Sequence, residues 1–122
     1  MGKVMEKTPQ ALRERTKVFA LRVIRLYEAL PRTKSAQILG TQLLRCATSV
    51  GANYRAAGRA RSRAEFAAKL GVVVEEADET VYWLELLAEA EIVLPARLEA
   101  ITVEARELTA IFTAARQSAR QR

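Results

Sequence analysis

The chain has 122 residues, with 20 Lys and Arg against 14 Asp and Glu, no His and a single Cys. This length fits one domain, which we expect to span residues 1–122. The lack of His removes the commonest metal ligand and general base, and the lone Cys46 excludes disulfide frameworks and Cys-based zinc sites. No apolar run approaches the roughly 18–20 residues of a membrane span, and the N-terminus has no signal-peptide core, so we expect a cytoplasmic protein.

The first half of the chain predicts two helices. Thr8 is a candidate N-cap, and Pro9 suits the first position of a helix over residues 9–30, which Pro31 ends. A second helix is expected over residues 34–57. The apolar line of the first helix has heptad spacing and consists of Leu12, Thr16, Phe19, Val23, Leu26 and Leu30.

The second half predicts two further helices. Ser62 and Glu65 have the spacing of a capping box, which starts a helix over residues 62–91. Pro95 starts the last helix, over residues 95–117, after which the tail is expected to fray. The third helix carries the apolar line Leu70, Val73, Ala77, Thr80, Leu84 and Leu87, and the fourth carries Leu98, Ile101, Ala105, Leu108, Phe112 and Ala115.

Four helices of similar length with short connections predict an all-α fold, an antiparallel up-down four-helix bundle. The alternative is an extended helical hairpin that completes its core only when it oligomerises. Three glycines fall inside the predicted helices, where they indicate close approach of neighbouring helices: Gly40, Gly51 and Gly71.

Charge is distributed unevenly along the chain. Residues 1–63 have a net charge of +11 and residues 64–122 a net charge of −5. The densest basic segment contains Arg55, Arg59, Arg61 and Arg63 beside Tyr54, which suits phosphate binding and base stacking. Candidate nucleic-acid contacts on the first two helices are Arg22, Arg25 and Lys34. The alternative is a solvated basic face, or arginines that pair with the acidic third helix.

The third helix contains an acidic cluster, and the second helix a polar stripe. The cluster consists of Glu75, Glu76, Asp78 and Glu79, and the stripe of Arg45, Ser49 and Asn53. Carboxylates on one helix face suit acid–base chemistry or a di-metal centre, but helical di-iron sites use Glu-x-x-His pairs, and this chain has no His. We therefore favour a structural polar layer of Arg45, Ser49, Asn53, Glu76 and Glu79, with no catalytic residue, no metal and no cofactor.

Apolar residues on the third helix also lie outside its predicted core line. They include Val72, Val74, Tyr82, Trp83 and Leu86, which make the helix apolar over more than the roughly 100° that one core-facing stripe needs. Trp and Tyr are favoured interface anchors, so Val72, Tyr82, Trp83 and Leu86 predict an oligomer interface. The alternative is a broad monomer core. Cys46 lies on the core line of the second helix and is expected to be a small buried side chain.

Three segments together resemble the family of 23S ribosomal RNA intervening-sequence proteins. They are Gln42–Tyr54 (QLLRCATSVGANY), Ala60–Phe66 (ARSRAEF) and Glu75–Leu87 (EEADETVYWLELL), and the resemblance covers about residues 10–112. The positions that match the family pattern are Arg45, Ser49, Gly51, Asn53, Ser62, Glu65, Phe66, Lys69, Glu76, Glu79 and Trp83. One departure is Ala56, where the family commonly has an acidic residue.

The resemblance implies a bacterial four-helix bundle that assembles as a ring-shaped homopentamer. A related branch comprises the accessory proteins of diversity-generating retroelements, which bind nucleic acid and a reverse transcriptase. Two functions follow as expectations. The first is a non-enzymatic oligomeric module that binds nucleic acid, with RNA favoured; the second is a scaffold for a protein partner such as a reverse transcriptase.

Overall fold

A computed structural model describes residues 8–121, so the outermost parts of the expected 1–122 domain, residues 1–7 and residue 122, lie outside the described residues. Within this range the fold is all-α, with four helices and no strand. The helices are α1 (Pro9–Glu28), α2 (Lys34–Ala57), α3 (Arg63–Glu89) and α4 (Pro95–Arg120).

Three of the helices begin at a hydroxyl side chain that accepts a backbone hydrogen bond. The Oγ1 of Thr8 accepts from the Ala11 N–H at 3.1 Å, and Thr33 and Ser62 occupy the same position before α2 and α3. Leu94 precedes α4 and makes no such bond, but Pro95 at the first position lacks an N–H that would need a partner.

The capping box at α3 differs from its usual form. The Oγ of Ser62 accepts from the Glu65 N–H at 3.0 Å, as the sequence predicts. The carboxylate of Glu65, however, accepts from the N–H of Arg61 at 2.8 Å, one residue earlier than the N-cap N–H that a capping box uses. The turn before α3 is thus held from both sides.

Two helices end two residues earlier than predicted. α1 ends at Glu28 rather than at residue 30, because Pro31 disfavours helical backbone for Leu30 before it. Leu30 is nevertheless buried. α3 ends at Glu89 rather than at residue 91.

The fourth helix is longer than predicted. It continues to Arg120 instead of ending at residue 117, and Ala119 is buried. The expectation of a frayed tail is therefore wrong as far as Arg120, because this last turn packs against the rest of the fold.

The C-terminus of α3 forms a Schellman motif around a strained residue. The Ile92 N–H donates to the Leu87 carbonyl at 3.0 Å, and the Glu91 N–H donates to the Ala88 carbonyl at 3.0 Å. Glu91 has φ 58°, the left-handed conformation that this position requires and that Gly adopts without a Cβ penalty.

The four helices share one hydrophobic core. α3 packs against both α2 and α4, and α1 packs mainly against α2. All six residues of the predicted line on α3 are buried, and so are five of the six on α4, where Ala115 is half-buried. On α1, Leu26 is only half-buried. The largest fully buried side chains include Phe19, Phe112, Leu43, Leu70, Leu84, Leu87, Leu98 and Leu108.

Gly51 permits the close contact between α1 and α2. A Cβ on Gly51 would lie 3.2 Å from the Oγ1 of Thr16 and 3.4 Å from its Cβ. Both belong to a β-branched side chain that is buried and has little freedom to move. Close helix approach, which the sequence indicates at this glycine, is what the structure contains.

Within residues 8–121, none of the helices is long and apolar enough to cross a membrane.

We expect Glu91→Gly to raise the free energy of unfolding by about 0.5–1 kcal/mol, because Gly relieves the left-handed strain. Urea denaturation at one fixed protein concentration measures the change. The control is Glu91→Ala, which removes the same charge from the helix C-terminus but keeps a Cβ, and should gain less. Equal gains in both variants would assign the effect to charge instead of backbone strain.

Candidate nucleic-acid interface

The arginines of the predicted basic segment lie around the connection between α2 and α3. Arg55 is on the last turn of α2, Arg59 and Arg61 are in the connection, and Arg63 opens α3; all four are exposed. The side chain of Arg61 is 92% exposed and reaches Glu65 only at 3.9 Å, so this ion pair contributes little charge neutralisation.

Helix contacts bring further basic residues to the same end of the fold. Thr16 of α1 meets Gly51 of α2, and the rings of Tyr54 and Phe112 lie 4.9 Å apart. These contacts assemble a region, here called the basic end, from residues 8–17, 51–71 and 108–121. Its ten cations are Arg13, Arg15, Lys17, Arg55, Arg59, Arg61, Arg63, Lys69, Arg116 and Arg120, and its two carboxylates are Glu14 and Glu65.

One groove of the basic end runs between α1 and α2. Its cationic lining is Arg13, Lys17 and Arg55, and its volume is about 360 Å³. The other walls are small or hydroxyl side chains and one glycine: Thr16, Ala20, Thr48, Gly51 and Ala52. Three cations around a groove with no carboxylate in its lining provide a favourable place for a phosphate backbone.

Sequence reasoning missed several of these cations. Arg13 and Lys17 belong to the first helix, and Arg116 and Arg120 to the last, so no local spacing connects them with Arg55. Their only sequence signal is their charge, and the helix packing that joins them involves residues roughly 35 to 60 positions apart in the chain.

The predicted contacts Arg22, Arg25 and Lys34 do not join the basic end. Arg22 is half-buried, whereas Arg25 and Lys34 are exposed and flank the connection between α1 and α2. Arg25 is nine residues beyond Thr16, which corresponds to about 13 Å along the helix axis. The predicted binding set therefore divides into two groups.

Tyr54 is not available for base stacking, which corrects the sequence prediction. Its side chain is 8% exposed and its ring packs against Phe112 in the core. Burial raises the pKa of the Tyr54 hydroxyl, with a smaller opposing effect of Arg13. The arginines beside it in the sequence thus lack the aromatic partner that the sequence indicates.

Arg15 is a cation of the basic end that is already neutralised. Its Nε lies 2.7 Å from Glu104, and its Nη2 lies 2.6 Å from Glu107, so the guanidinium bridges α1 and α4. These hydrogen bonds, that of Glu104 foremost, raise the pKa of Arg15 despite its partial burial.

The polar layer between α2 and α3 is centred on Glu79. This carboxylate accepts from Arg45 at 2.9 Å, from the Cys46 thiol at 3.1 Å and from the Trp83 indole at 3.1 Å. The pKa of Glu79 is lowered, mainly by the bond from the Cys46 thiol, then by that from Trp83. Arg45 also approaches Glu76 at 3.5 Å.

Ser49 and Asn53 belong to a different set of contacts. The amide of Asn53 donates to the Ser49 carbonyl at 2.9 Å and to its hydroxyl at 2.7 Å, both within α2. The structure thus brings together Arg45, Glu76 and Glu79 of the predicted layer, while Ser49 and Asn53 bond to each other.

Cys46 belongs to this layer through its hydrogen bond to Glu79, and its surroundings make the thiol unreactive. It is fully buried, and burial, followed by its hydrogen bond to Glu79, raises its pKa to about 12. Ligand atoms of Cys46, Glu76 and Glu79 lie within 4.8 Å of one another, a set that could hold a metal. The guanidinium of Arg45 already supplies positive charge to both carboxylates.

The predicted interface residues on α3 differ in exposure. Val72 is 40% exposed and Tyr82 is 52% exposed, while Trp83 and Leu86 are half-buried. The ring of Tyr82 meets that of Trp83 edge-on at 5.1 Å. Val74 is half-buried against the core, so Val72 and Tyr82 are the exposed members of this set.

A family model and a solved structure both match this chain. The family model described as 23S rRNA-intervening sequence protein matches residues 10–114. The chain is similar to a solved structure from Bacteroides thetaiotaomicron, a protein of unknown function from the S23 ribosomal protein family. The two share 34% sequence identity with a TM-score of 0.83, over 89% of this chain and 97% of that chain. Comparison with curated proteins gives no match.

The raised pKa of Cys46 predicts a loss of stability at alkaline pH. Above about pH 8.5 the unfolded chain releases the thiol proton while the folded chain keeps it, so rising pH favours unfolding. Between pH 8 and pH 10, the free energy of unfolding should fall by about 2 kcal/mol more in the wild type than in Cys46→Ala. Denaturant titrations at both pH values measure this difference, and parallel pH profiles would contradict it.

Proposed function

The chain belongs to the 23S rRNA-intervening sequence protein family, and we propose that it is a non-enzymatic, oligomeric module that binds nucleic acid, with RNA as the favoured ligand. The observation that carries this proposal is the basic end. Eight of its ten cations form no ion pair with a carboxylate among residues 8–121: Arg13, Lys17, Arg55, Arg59, Arg63, Lys69, Arg116 and Arg120.

The electrostatics of the basic end suit a polyanion. Unpaired cations from all four helices lie together at this end and create a positive electrostatic potential. Surface ion pairs, whose charges cancel, do not create such a potential. Phosphate contacts by such residues release counterions, and this release provides most of the affinity of non-specific nucleic-acid binding. We infer that the exposed connection at residues 58–62 and the groove between α1 and α2 both contact the phosphate backbone of one nucleic-acid molecule.

The non-enzymatic part of the proposal is supported by the state of the reactive side chains. Cys46 is buried with a raised pKa, and Glu79 is engaged by three donors. A nucleophile needs an activated, accessible atom, and a general base needs a free acceptor near its substrate. The hydrogen bonds of Cys46 and Glu79 thus connect α2 with α3 and occupy the groups that could otherwise react.

We further propose an antiparallel up-down bundle that assembles as a ring-shaped homopentamer. Consecutive helices that contact each other are joined by connections of five residues, at 29–33, 58–62 and 90–94. Connections of this length favour antiparallel neighbours. The ring is what the family resemblance implies, and we assign the exposed side chains of Val72 and Tyr82 to the subunit contact.

Binding to nucleic acid is tested with labelled RNA and DNA hairpins and nuclease-treated protein, by anisotropy at several salt concentrations. Arg55→Gln with Arg59→Gln should weaken binding about tenfold or more at low salt and reduce the slope of log K against log salt by about two phosphates.

The matched control is Arg32→Gln with Arg97→Gln, two exposed arginines near other connections that make the same change in net charge. Equal weakening by both pairs would show that net charge and not the basic end determines binding. Absence of binding at low salt would rule out the function and leave an acidic protein partner for these arginines.

The proposed assembly is tested by sedimentation equilibrium of matched variants. We expect the wild type to have the mass of five chains and Val72→Glu to shift toward monomer, because a buried unpaired carboxylate disfavours the subunit contact. Val103→Glu is the control, since Val103 on α4 is 46% exposed, as Val72 is 40% exposed. Loss of assembly in Val103→Glu alone would place the interface on α4.

A further inference from the structure

A second groove of the basic end lies between α3 and α4. Its volume is about 500 Å³, and its charged lining is Arg63, Arg116 and Arg120. The remaining lining is four alanines: Ala64, Ala67, Ala68 and Ala119. The walls thus hold three cations and offer them no carboxylate.

These three arginines differ from the paired arginines of the fold. Arg15, Arg45 and Arg106 each reach a carboxylate within 3.0 Å. None of the three groove arginines forms an ion pair within the described part of the chain. Like charges around one groove repel each other, so the free groove is electrostatically unfavourable and an anion would relieve it.

Arg116 is the least exposed of the three groove arginines. Its Nε is buried and has no hydrogen-bond partner among the described residues. The guanidinium lies against Gly71, where a Cβ would stand 3.2 Å from its Cζ and 3.3 Å from Nε and Nη2. Gly71 therefore makes room for the guanidinium beside α3, which places a partly buried cation in the wall of the groove.

We propose that this groove binds a phosphate group through Arg63, Arg116 and Arg120. Guanidinium groups match phosphate oxygens in a bidentate geometry, and three of them around one groove suit a di- or triply charged oxyanion. If the phosphate belongs to the backbone or to an end of RNA, this proposal rests on the proposed function. If the phosphate belongs to a free phosphate compound, the proposal is independent of that function.

The probe that separates these cases is inorganic pyrophosphate, titrated into the full chain and followed by NMR of the arginine Nε–H signals. We expect saturable shifts of the Arg116 signal in the wild type. Arg120→Gln should weaken pyrophosphate binding at least tenfold, because it removes an exposed guanidinium from the groove. Arg97→Gln, with the same charge change outside the groove, should leave the affinity unchanged.

A further variant tests the role of Gly71 without loss of the fold. Gly71→Ala adds a Cβ that displaces the guanidinium of Arg116 by a few tenths of an ångström, while Ala favours the helix. We expect a Tm at or above that of the wild type together with a several-fold weaker affinity for pyrophosphate. Unchanged affinity in both Gly71→Ala and Arg120→Gln would overturn the proposal, as would the absence of saturable shifts.

Binding of the RNA hairpin by the same variants, measured at several salt concentrations, identifies the source of the phosphate. A salt slope reduced by about one phosphate in Arg120→Gln identifies the groove as an RNA contact. Pyrophosphate binding with unchanged RNA binding identifies a free phosphate compound, and the site stands. Pyrophosphate binding without any RNA binding rejects the proposed function and retains the groove, whereas RNA binding without pyrophosphate binding rejects the groove alone.

Discussion

The packing of α3 against both α2 and α4 is the constraint on which the other features depend. A helix with two packed neighbours must bury two faces, and α3 does so with small residues and branched apolar residues along its whole length. Polar atoms on those faces need internal partners. The hydroxyl of Thr80 donates to the Glu76 carbonyl at 2.8 Å, and Glu79 collects donors from Arg45, Cys46 and Trp83. Loss of Arg45 would leave the partly buried carboxylate of Glu79 with the donors Cys46 and Trp83, which are neutral, and without that counter-charge.

The same packing separates charge along the fold. Residues 72–107 contain ten carboxylates and two arginines, whereas the basic end has ten cations and two carboxylates. The carboxylates of the first group neutralise cations that lie against them, including Arg15 through Glu104 and Arg45 through Glu79. Apart from Arg15, the cations of the basic end form no ion pair with these carboxylates. The proposed binding surface is thus what remains after the internal ion pairs have formed, and its location follows from helix order.

Much of the fold could be predicted from the sequence, because it depends on local signals. Hydroxyl caps and prolines give the helix starts, and heptad spacing gives the buried lines of α3 and α4.

The left-handed Glu91 could not be predicted, since Glu has no preference for that conformation. Tyr54 was predictable in principle: it follows Val50 by four residues on the buried line of α2, but its neighbouring arginines favoured a surface role. The groove of Arg63 and Arg116 depends on contact between residues about 50 positions apart, which no spacing rule reveals.

The burial of Tyr54 determines what kind of recognition the proposed interface can provide. Stacking on an exposed aromatic ring contributes about 1–3 kcal/mol per base, and the arginines beside Tyr54 lack that contribution. In the proposed interface, guanidinium contacts to phosphates would position a nucleic acid but would carry no sequence information. The two cationic grooves lie between packed helices, so the spacing of the phosphates that they contact would be one source of selectivity. In the ring that we propose, these positions would repeat once in each subunit, so the proposed ligand would need phosphates that repeat with the spacing of the subunits.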